Sequence, residues 1–151
     1  MTDFNLDDFL PYQLAELSRR VSAVFSKHYR DSYGISVAEW RVLAHLSKDE
    51  AVSVREIHVR VGMDKPKVSR AASRLEAAGY VTKAVNPADR RLVELSLTGK
   101  GRELIATLAP IASDYQASLM AALGEGAEEF VGTVRTLTGQ IAAEEASGQG
   151  A

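Results

Sequence analysis

The sequence predicts a mainly α (α+β) chain: helices throughout, interrupted by one small β-hairpin. Three observations lead there. Apolar residues recur at three- and four-residue steps through most of the 151 residues. Only once, between Tyr80 and Leu97, does the period shorten to two. Finally, Ser36, Ser53, Asp64 and Thr98 each stand where an apolar-periodic run begins, as helix-capping residues do.

In chain order, Met1 to Asp8 is polar and acidic, with order expected only where Phe4 and Leu6 find partners. Phe9 to Arg30 reads as a helix with Leu10, Leu14, Leu17, Val21, Val24, Phe25 and His28 on one stripe and Pro11 in the first turn. Gly34 stops it. Ile35 to Lys48 is a second helix, capped by Ser36 with Glu39 three residues on, burying Trp40, Leu43 and Leu46. Ala51 to Ser53 can add a short strand edge. Ser53 caps a third helix through Val61, with Glu56 as its reciprocal partner and Val54, Ile57 and Val61 buried; Gly62 and Met63 form the turn.

Asp64 then caps a fourth helix reaching Ala78, with Pro66 in its first turn and Gly79 supplying the positive φ that ends it. Val68, Ala71, Ala72 and Leu75 form its apolar face, built mostly of small residues that allow close packing. Lys67, Ser69, Arg70, Ser73 and Arg74 fall opposite. Tyr80 to Val85 and Leu92 to Leu97 form the hairpin, Val93, Leu95 and Leu97 alternating with Leu92, Glu94 and Ser96. Its tip is Asn86, Pro87, Ala88, Asp89, Arg90 and Arg91. Thr98 opens a long helix with Leu104, Leu108, Ile111, Tyr115, Leu119 and Leu123 buried and a kink at Pro110. Gly124 and Gly126 break it, and Glu128 to Ala143 is the last helix, with Phe130, Val134, Leu137 and Ile141 in register. Ala146 to Ala151 is expected to be disordered.

Charge sharpens this picture. The net charge of −2 suggests no affinity for nucleic acid, but it is unevenly distributed. From Arg55 to Arg102 there are 11 Lys and Arg against 5 Asp and Glu, a net of +6; residues 1–54 carry −2 and residues 103–151 carry −6. A basic middle between acidic ends suits a DNA-binding lobe, because phosphate attraction acts within about 10 Å at ordinary salt.

Helix, short turn, helix, then hairpin is the order of a winged helix-turn-helix. The sequence resembles the MarR family of bacterial winged helix-turn-helix regulators. D-K-x-x-V-S-R-x-x-x-R-L-E-x-x-G at 64–79 follows that family's recognition helix; D-R-R at 89–91, L-x-L-T at 95–98 and Gly101 follow its wing. Pro66, Lys67 and Leu95 depart from the commoner residues, which bears on base preference rather than fold. The organisation expected is a single domain over 1–151, with the DNA-binding lobe at 36–100 and a helical dimerisation region at 9–34 and 101–145. The terminal helices present apolar stripes that the small central lobe cannot cover, which calls for a homodimer.

The resemblance implies a sequence-specific regulator of transcription that binds double-stranded DNA as a homodimer at a palindromic operator. Repression is the expected sign, although that sign depends on where the operator lies relative to a promoter, which no residue encodes. In the major groove we expect Lys65, Lys67, Ser69, Arg70 and Arg74, with Arg70 the candidate for bidentate contact to guanine. Arg90 and Arg91 are expected in the flanking minor groove, Asp89 orienting Arg91 by the same resemblance; Ser53 and Arg55 would touch the backbone. Members of this family bind small phenolic or aromatic acids between the terminal helices and the DNA lobe. The residues here of that chemistry are Tyr12, Arg19, Phe25, His28, Tyr29, Tyr33, Trp40 and Arg41, although aromatics on helical stripes are more often core. The F-L-P-Y-x-L and E-W-R-V-L-A segments look more like members tied to aromatic catabolism than to metal uptake.

Other classes are disfavoured. Without cysteine the chain has no disulfide, thiolate metal site or thiol-based oxidant switch. No run of about 18 apolar residues and no basic-then-apolar leader is present, so the expectation is a cytoplasmic protein with no membrane partner. No catalytic motif stands out: there is no G-x-S-x-G, and T-G-K-G at 98–101 lacks the spacing of a phosphate loop. No cofactor and no metal are expected, because His28, His45 and His58 fall on three helices with no i,i+4 pair. A zinc-responsive regulator of the same fold and a winged-helix module that binds protein remain the alternatives.

Overall fold

The computed structural model describes residues 3–48 and 51–149. Its elements are α1 (Leu10–Tyr33), α2 (Val37–Leu46), β1 (Val52–Ser53), α3 (Val54–Val61), α4 (Lys65–Ala77), β2 (Val81–Val85), β3 (Val93–Leu97), α5 (Gly99–Leu123) and α6 (Ala127–Gln149). They fall into two compact units, one ending at Ile111 and one beginning at Ala112. Among the described residues no helix is long and apolar enough to cross a membrane.

In the first unit, α2 packs on α3 and α4. Val42, Leu43, Ile57, Val68, Ala72, Leu75 and Leu95 are fully shielded from solvent and make the centre of the core. The predicted capping box of α2 is complete: Ser36 Oγ accepts from the Glu39 N–H at 3.1 Å, and Glu39 Oε2 accepts from the Ser36 N–H at 2.8 Å. On α2 the buried face is centred on Val42 and Leu43, and Trp40 is only half-buried, so the expected face was rotated slightly too far. The box expected on α3 is half made. Ser53 Oγ accepts from the Glu56 N–H at 3.1 Å, but the Glu56 carboxylate is claimed by Arg60, one turn on, at 2.7 Å.

The short strand expected near Ala51 exists: β1 pairs antiparallel with β3, giving a three-stranded sheet in the order β1-β3-β2. Register sets Val81 opposite Leu97, Lys83 opposite Leu95 and Val85 opposite Val93. Cross-strand partners share a face, so Lys83 stands on the same side as the buried Leu95.

α4 ends in a Schellman motif. Gly79 takes φ 86°, the Tyr80 N–H donates to Leu75 O at 2.9 Å and the Gly79 N–H to Glu76 O at 3.0 Å. The next three carbonyls are satisfied from across the hairpin. Lys100 Nζ donates to Ala78 O at 2.6 Å, Thr98 Oγ1 to Gly79 O at 2.6 Å and the Thr98 N–H to Tyr80 O at 3.0 Å. Thr98 Oγ1 also accepts from the Gly101 N–H at 3.0 Å, as a cap should.

Before α1, Asn5 caps a single 3-10 turn at Leu6–Asp8, and Phe4 meets Phe9 edge to face at 5.3 Å. Phe4 thus has the kind of partner on which order there was expected to depend, and Asn5 adds to it: its Oδ1 accepts the Asp7 N–H while its amide donates to Asp8. α1 begins at Leu10 with Pro11 in its first turn and ends at Gly34, φ 66°. Of its apolar stripe only Phe25 is buried; Leu10, Leu14, Leu17 and Val24 are 41–52% exposed.

In α5, Leu104 and Leu108 are buried as expected, whereas Leu123 is 40% exposed. In the second unit Phe130, Val134 and Ile141 of α6 are exposed and Ala127 is buried. The Ala146–Gln149 segment, expected to be disordered, continues α6. A helix already propagating through Ala142, Ala143 and Ala146 accepts Gly148 at about 1 kcal/mol. The remainder of that expectation, residues 150 and 151, lies outside the described residues.

Gly101 has no room for a side chain: a Cβ there would lie 2.2 Å from Tyr80 O and 3.1 Å from Leu97 Cδ2. Gly99, two residues earlier, has nothing within 4 Å. Gly101→Ala is therefore expected to lower the urea midpoint by the equivalent of about 1–3 kcal/mol with an unchanged m-value, and Gly99→Ala to leave it within about 0.5 kcal/mol.

Candidate nucleic-acid interface

The polar face expected on α4 is exposed, opposite its apolar face. Asp64 caps α4 by accepting the Lys67 N–H at 2.8 Å, while Val68, Ala71, Ala72 and Leu75 are sunk into the core. The rigid apolar side fixes the rotation of the helix, so Lys67, Ser69, Arg70, Ser73 and Arg74 all face solvent. Gly62, φ 66°, makes the tight turn before it, and His58 Nδ1 hydrogen-bonds Met63 O across that turn. A carbonyl only accepts, so Nδ1 carries the proton there.

The wing tip is organised by Asn86. Its Oδ1 accepts from the Ala88 N–H at 2.8 Å and the Asp89 N–H at 3.2 Å, and its Nδ2 donates to Glu94 Oε1 at 2.6 Å. Asp89 in turn holds Arg91 by two parallel bonds, Nε to Oδ1 at 3.0 Å and Nη2 to Oδ2 at 3.1 Å, as the resemblance implied. Hydrogen bonds from the Arg91 side chain and backbone, helped by the Arg55 charge, keep the Asp89 carboxyl below its ordinary pKa. Arg90 beside it is exposed at the tip.

Residues that the sequence had distributed over different parts of a duplex come together. Arg55 from α3, Lys65 and Ser69 from α4 and Arg91 from the wing line one hollow of about 320 Å3, with Leu92 and Val93 as part of its wall. Lys83 joins them. No motif marks Lys83 in the sequence, and a lysine on the inward side of a strand is the one signal there. Its Nζ donates to Ser73 Oγ at 2.8 Å and lies 4.0 Å from Glu76 Oε1, tying the wing to the reading helix. Ser53 occupies its hydroxyl with the cap of α3 and borders a neighbouring cleft that includes Arg55.

Seven of the eight residues expected around a ligand fall into three groups, and the eighth, Arg41, acts on Tyr29 through its charge. Phe25, His28, Tyr29 and Trp40 form an aromatic cluster, Trp40 lying 5.2 Å from Phe25 and stacked 5.4 Å from Tyr29. Phe25 and Tyr29 are buried there, and burial raises the Tyr29 pKa against the opposing pull of Arg41 and Arg30. Tyr12 and Arg19 sit on the exposed part of α1, where Arg19 holds Glu16 at 3.1 Å. Tyr33 lines a separate hollow of about 200 Å3 with Tyr80, Lys100 and Glu103. Burial, with the Lys48 and Arg60 charges, lowers the His45 pKa. Among the described residues no three His, Asp or Glu side chains are grouped so as to hold a metal ion.

A sequence profile of the MarR family matches residues 33–92, which includes α2, the helix-turn-helix, β2 and the wing tip but not β3. The HTH-type transcriptional regulator BilQ of Clostridioides difficile is 33% identical over 73 residues, 48% of this chain and 49% of that protein. The chain thus spans about half the length of that relative. The MarR family transcriptional regulator SPO1453 of Silicibacter pomeroyi superposes with a TM-score of 0.78 at 30% identity, over 92% of this chain and 99% of the other. The structure of Bordetella bronchiseptica BpsR, whose DNA binding is regulated by 6-hydroxynicotinic acid, matches with a TM-score of 0.78 at 25% identity, over 91% and 98%. With the helix-turn-helix, the wing and the basic face all in place, the chain belongs to the MarR family of winged-helix transcriptional regulators.

Proposed function

We propose that the chain is a sequence-specific regulator, a repressor, that binds a palindromic operator on double-stranded DNA as a homodimer in the cytoplasm. The observation that carries this reading is the shared basic hollow, which makes reading helix and wing one surface and not two. Lys67, Arg70 and Arg74 on α4 are spaced to follow a major groove, and Arg90 and Arg91 reach toward the adjoining minor groove. A pair of chains with both grooves occupied excludes polymerase wherever the operator overlaps a promoter. The effector in this reading is an aromatic or phenolic acid, supported by the Phe25, Tyr29 and Trp40 cluster near Arg41 and by the kind of ligand that regulates BpsR.

Dimerisation is supported by what each unit leaves uncovered. Leu10, Leu14, Leu17 and Val24 run along one face of α1, and Phe130, Val134 and Ile141 along α6, all more than 40% exposed. Apolar stripes of that length on a chain with no membrane-spanning helix among its described residues suit a protein interface.

Fluorescence anisotropy at fixed salt, on a palindrome enriched from a random library and on a scrambled duplex, tests the reading face. Arg70→Ala is expected to lose most of the preference for the enriched site, about 1–3 kcal/mol, while Arg90→Ala weakens both duplexes alike. Unchanged preference in Arg70→Ala removes the assigned reading face. Aromatic carboxylates added to the same titration should release the duplex. Binding that ignores salt would favour the protein-interaction module, and loss of binding on chelation the zinc-responsive regulator.

Sedimentation tests the assembly. Leu14→Glu with Leu17→Glu is expected to convert a dimer to a folded monomer, since both side chains are already exposed within one chain, and to cost about 100-fold or more in operator affinity. A double variant that stays dimeric with full affinity places the interface elsewhere.

A further inference from the structure

The hollow between α3, α4 and the wing gathers positive charge from three elements. Arg55, Lys65, Lys83 and Arg91 bring four cations to one concavity, against the carboxylates of Asp89 and Glu76 at its margin. Like charges around a shared space repel, and the arrangement persists at least cost when an anion enters. Its position states which anion. A helix in a major groove and a hairpin tip in the adjoining minor groove are separated by one sugar-phosphate strand, and that strand must cross the surface joining helix to wing. That surface is the hollow.

We propose that the hollow seats a single backbone phosphate of the dividing strand, with Arg55, Lys65, Lys83 and Arg91 as its cationic walls and the Ser69 hydroxyl as a neutral donor. This rests on the DNA-binding reading above and revises part of it: Lys65, Ser69 and Arg91 serve the backbone, leaving Arg90 for the minor groove, and Lys83 enters the interface. The cavity is roomier than one phosphate needs, leaving space for the adjoining sugar against Leu92 and Val93. Lys83 reaches the phosphate from the stem of the wing while its hydrogen bond to Ser73 keeps it aimed. Its role is to fix register, because a phosphate held midway between the grooves sets which base step lies under Arg70.

The test uses the full chain on its enriched duplex, with phosphates replaced one at a time by neutral methylphosphonates. Wild type is expected to lose about tenfold in affinity at one phosphate per half-site, at the boundary between the major- and minor-groove contacts. Lys83→Gln, which keeps a donor for Ser73 but not the charge, should lose a similar factor on the unmodified duplex, less than about threefold more at that same phosphate, and lower the salt slope by about one per subunit. Lys83→Arg should restore binding. If the Lys83→Gln loss adds fully to the loss at every phosphate, Lys83 is only a brace and the proposal fails. It fails equally if no single phosphate per half-site carries the loss in wild type, or if the loss falls away from the boundary between the two grooves. If wild type binds no duplex at all, the DNA-binding reading itself is what has failed.

Discussion

The close approach of Gly101 to the Tyr80 carbonyl is the constraint on which the rest of the DNA-binding surface depends. A helix leaves its last carbonyls without partners, and the chain leaving α4 must turn at once into β2. Here the Schellman bonds take Leu75 and Glu76, and the 98–101 segment on the far side of the hairpin answers Ala78, Gly79 and Tyr80 in succession. That arrangement requires backbone within touching distance of backbone, which only glycine permits. Lys100 adds its ammonium over the Tyr80 ring at 4.6 Å. The wing is thereby fixed to the end of the reading helix at its base, and Lys83 fixes it again halfway up through Ser73.

In the function proposed above, rigidity at that joint matters because the helix and the wing are to reach two grooves at once. A wing swinging freely would have to be ordered on binding, at a cost in side-chain and loop entropy. In this chain Asn86 and Asp89 have already ordered the tip, and Arg91 is aimed by its carboxylate before any duplex arrives. Arg90 beside it is exposed at the tip.

Much of this was legible in the sequence because local chemistry and tertiary structure agree. Ser36, Ser53, Asp64 and Thr98 cap where they should, and the small apolar face of α4 is buried as its spacing implied. What was not legible depends on distant partners. Glu56 had Arg60 as a competitor for its carboxylate, and propensity cannot rank the two. The tail from Ala146 looked too rich in Gly and Ser to stay helical, but helix continuation depends on what precedes it. Gly101 could be matched to a family pattern, yet its reason, the Tyr80 carbonyl 21 residues earlier in the chain, emerges only when the hairpin closes. Lys83 was hidden for the same cause: its cationic neighbours come from α3, α4 and the wing.

The central claim is that one rigid lobe per chain grips both grooves, twice per symmetric pair. Hydroxyl-radical footprinting of the full chain on the DNA flanking its own gene tests it most directly. The account predicts two protected segments on one face of the duplex, about 10 base pairs apart from centre to centre, each with protection continuing into the flanking minor groove. A single protected segment, or protection confined to the major groove with none where the wing should lie, would contradict it.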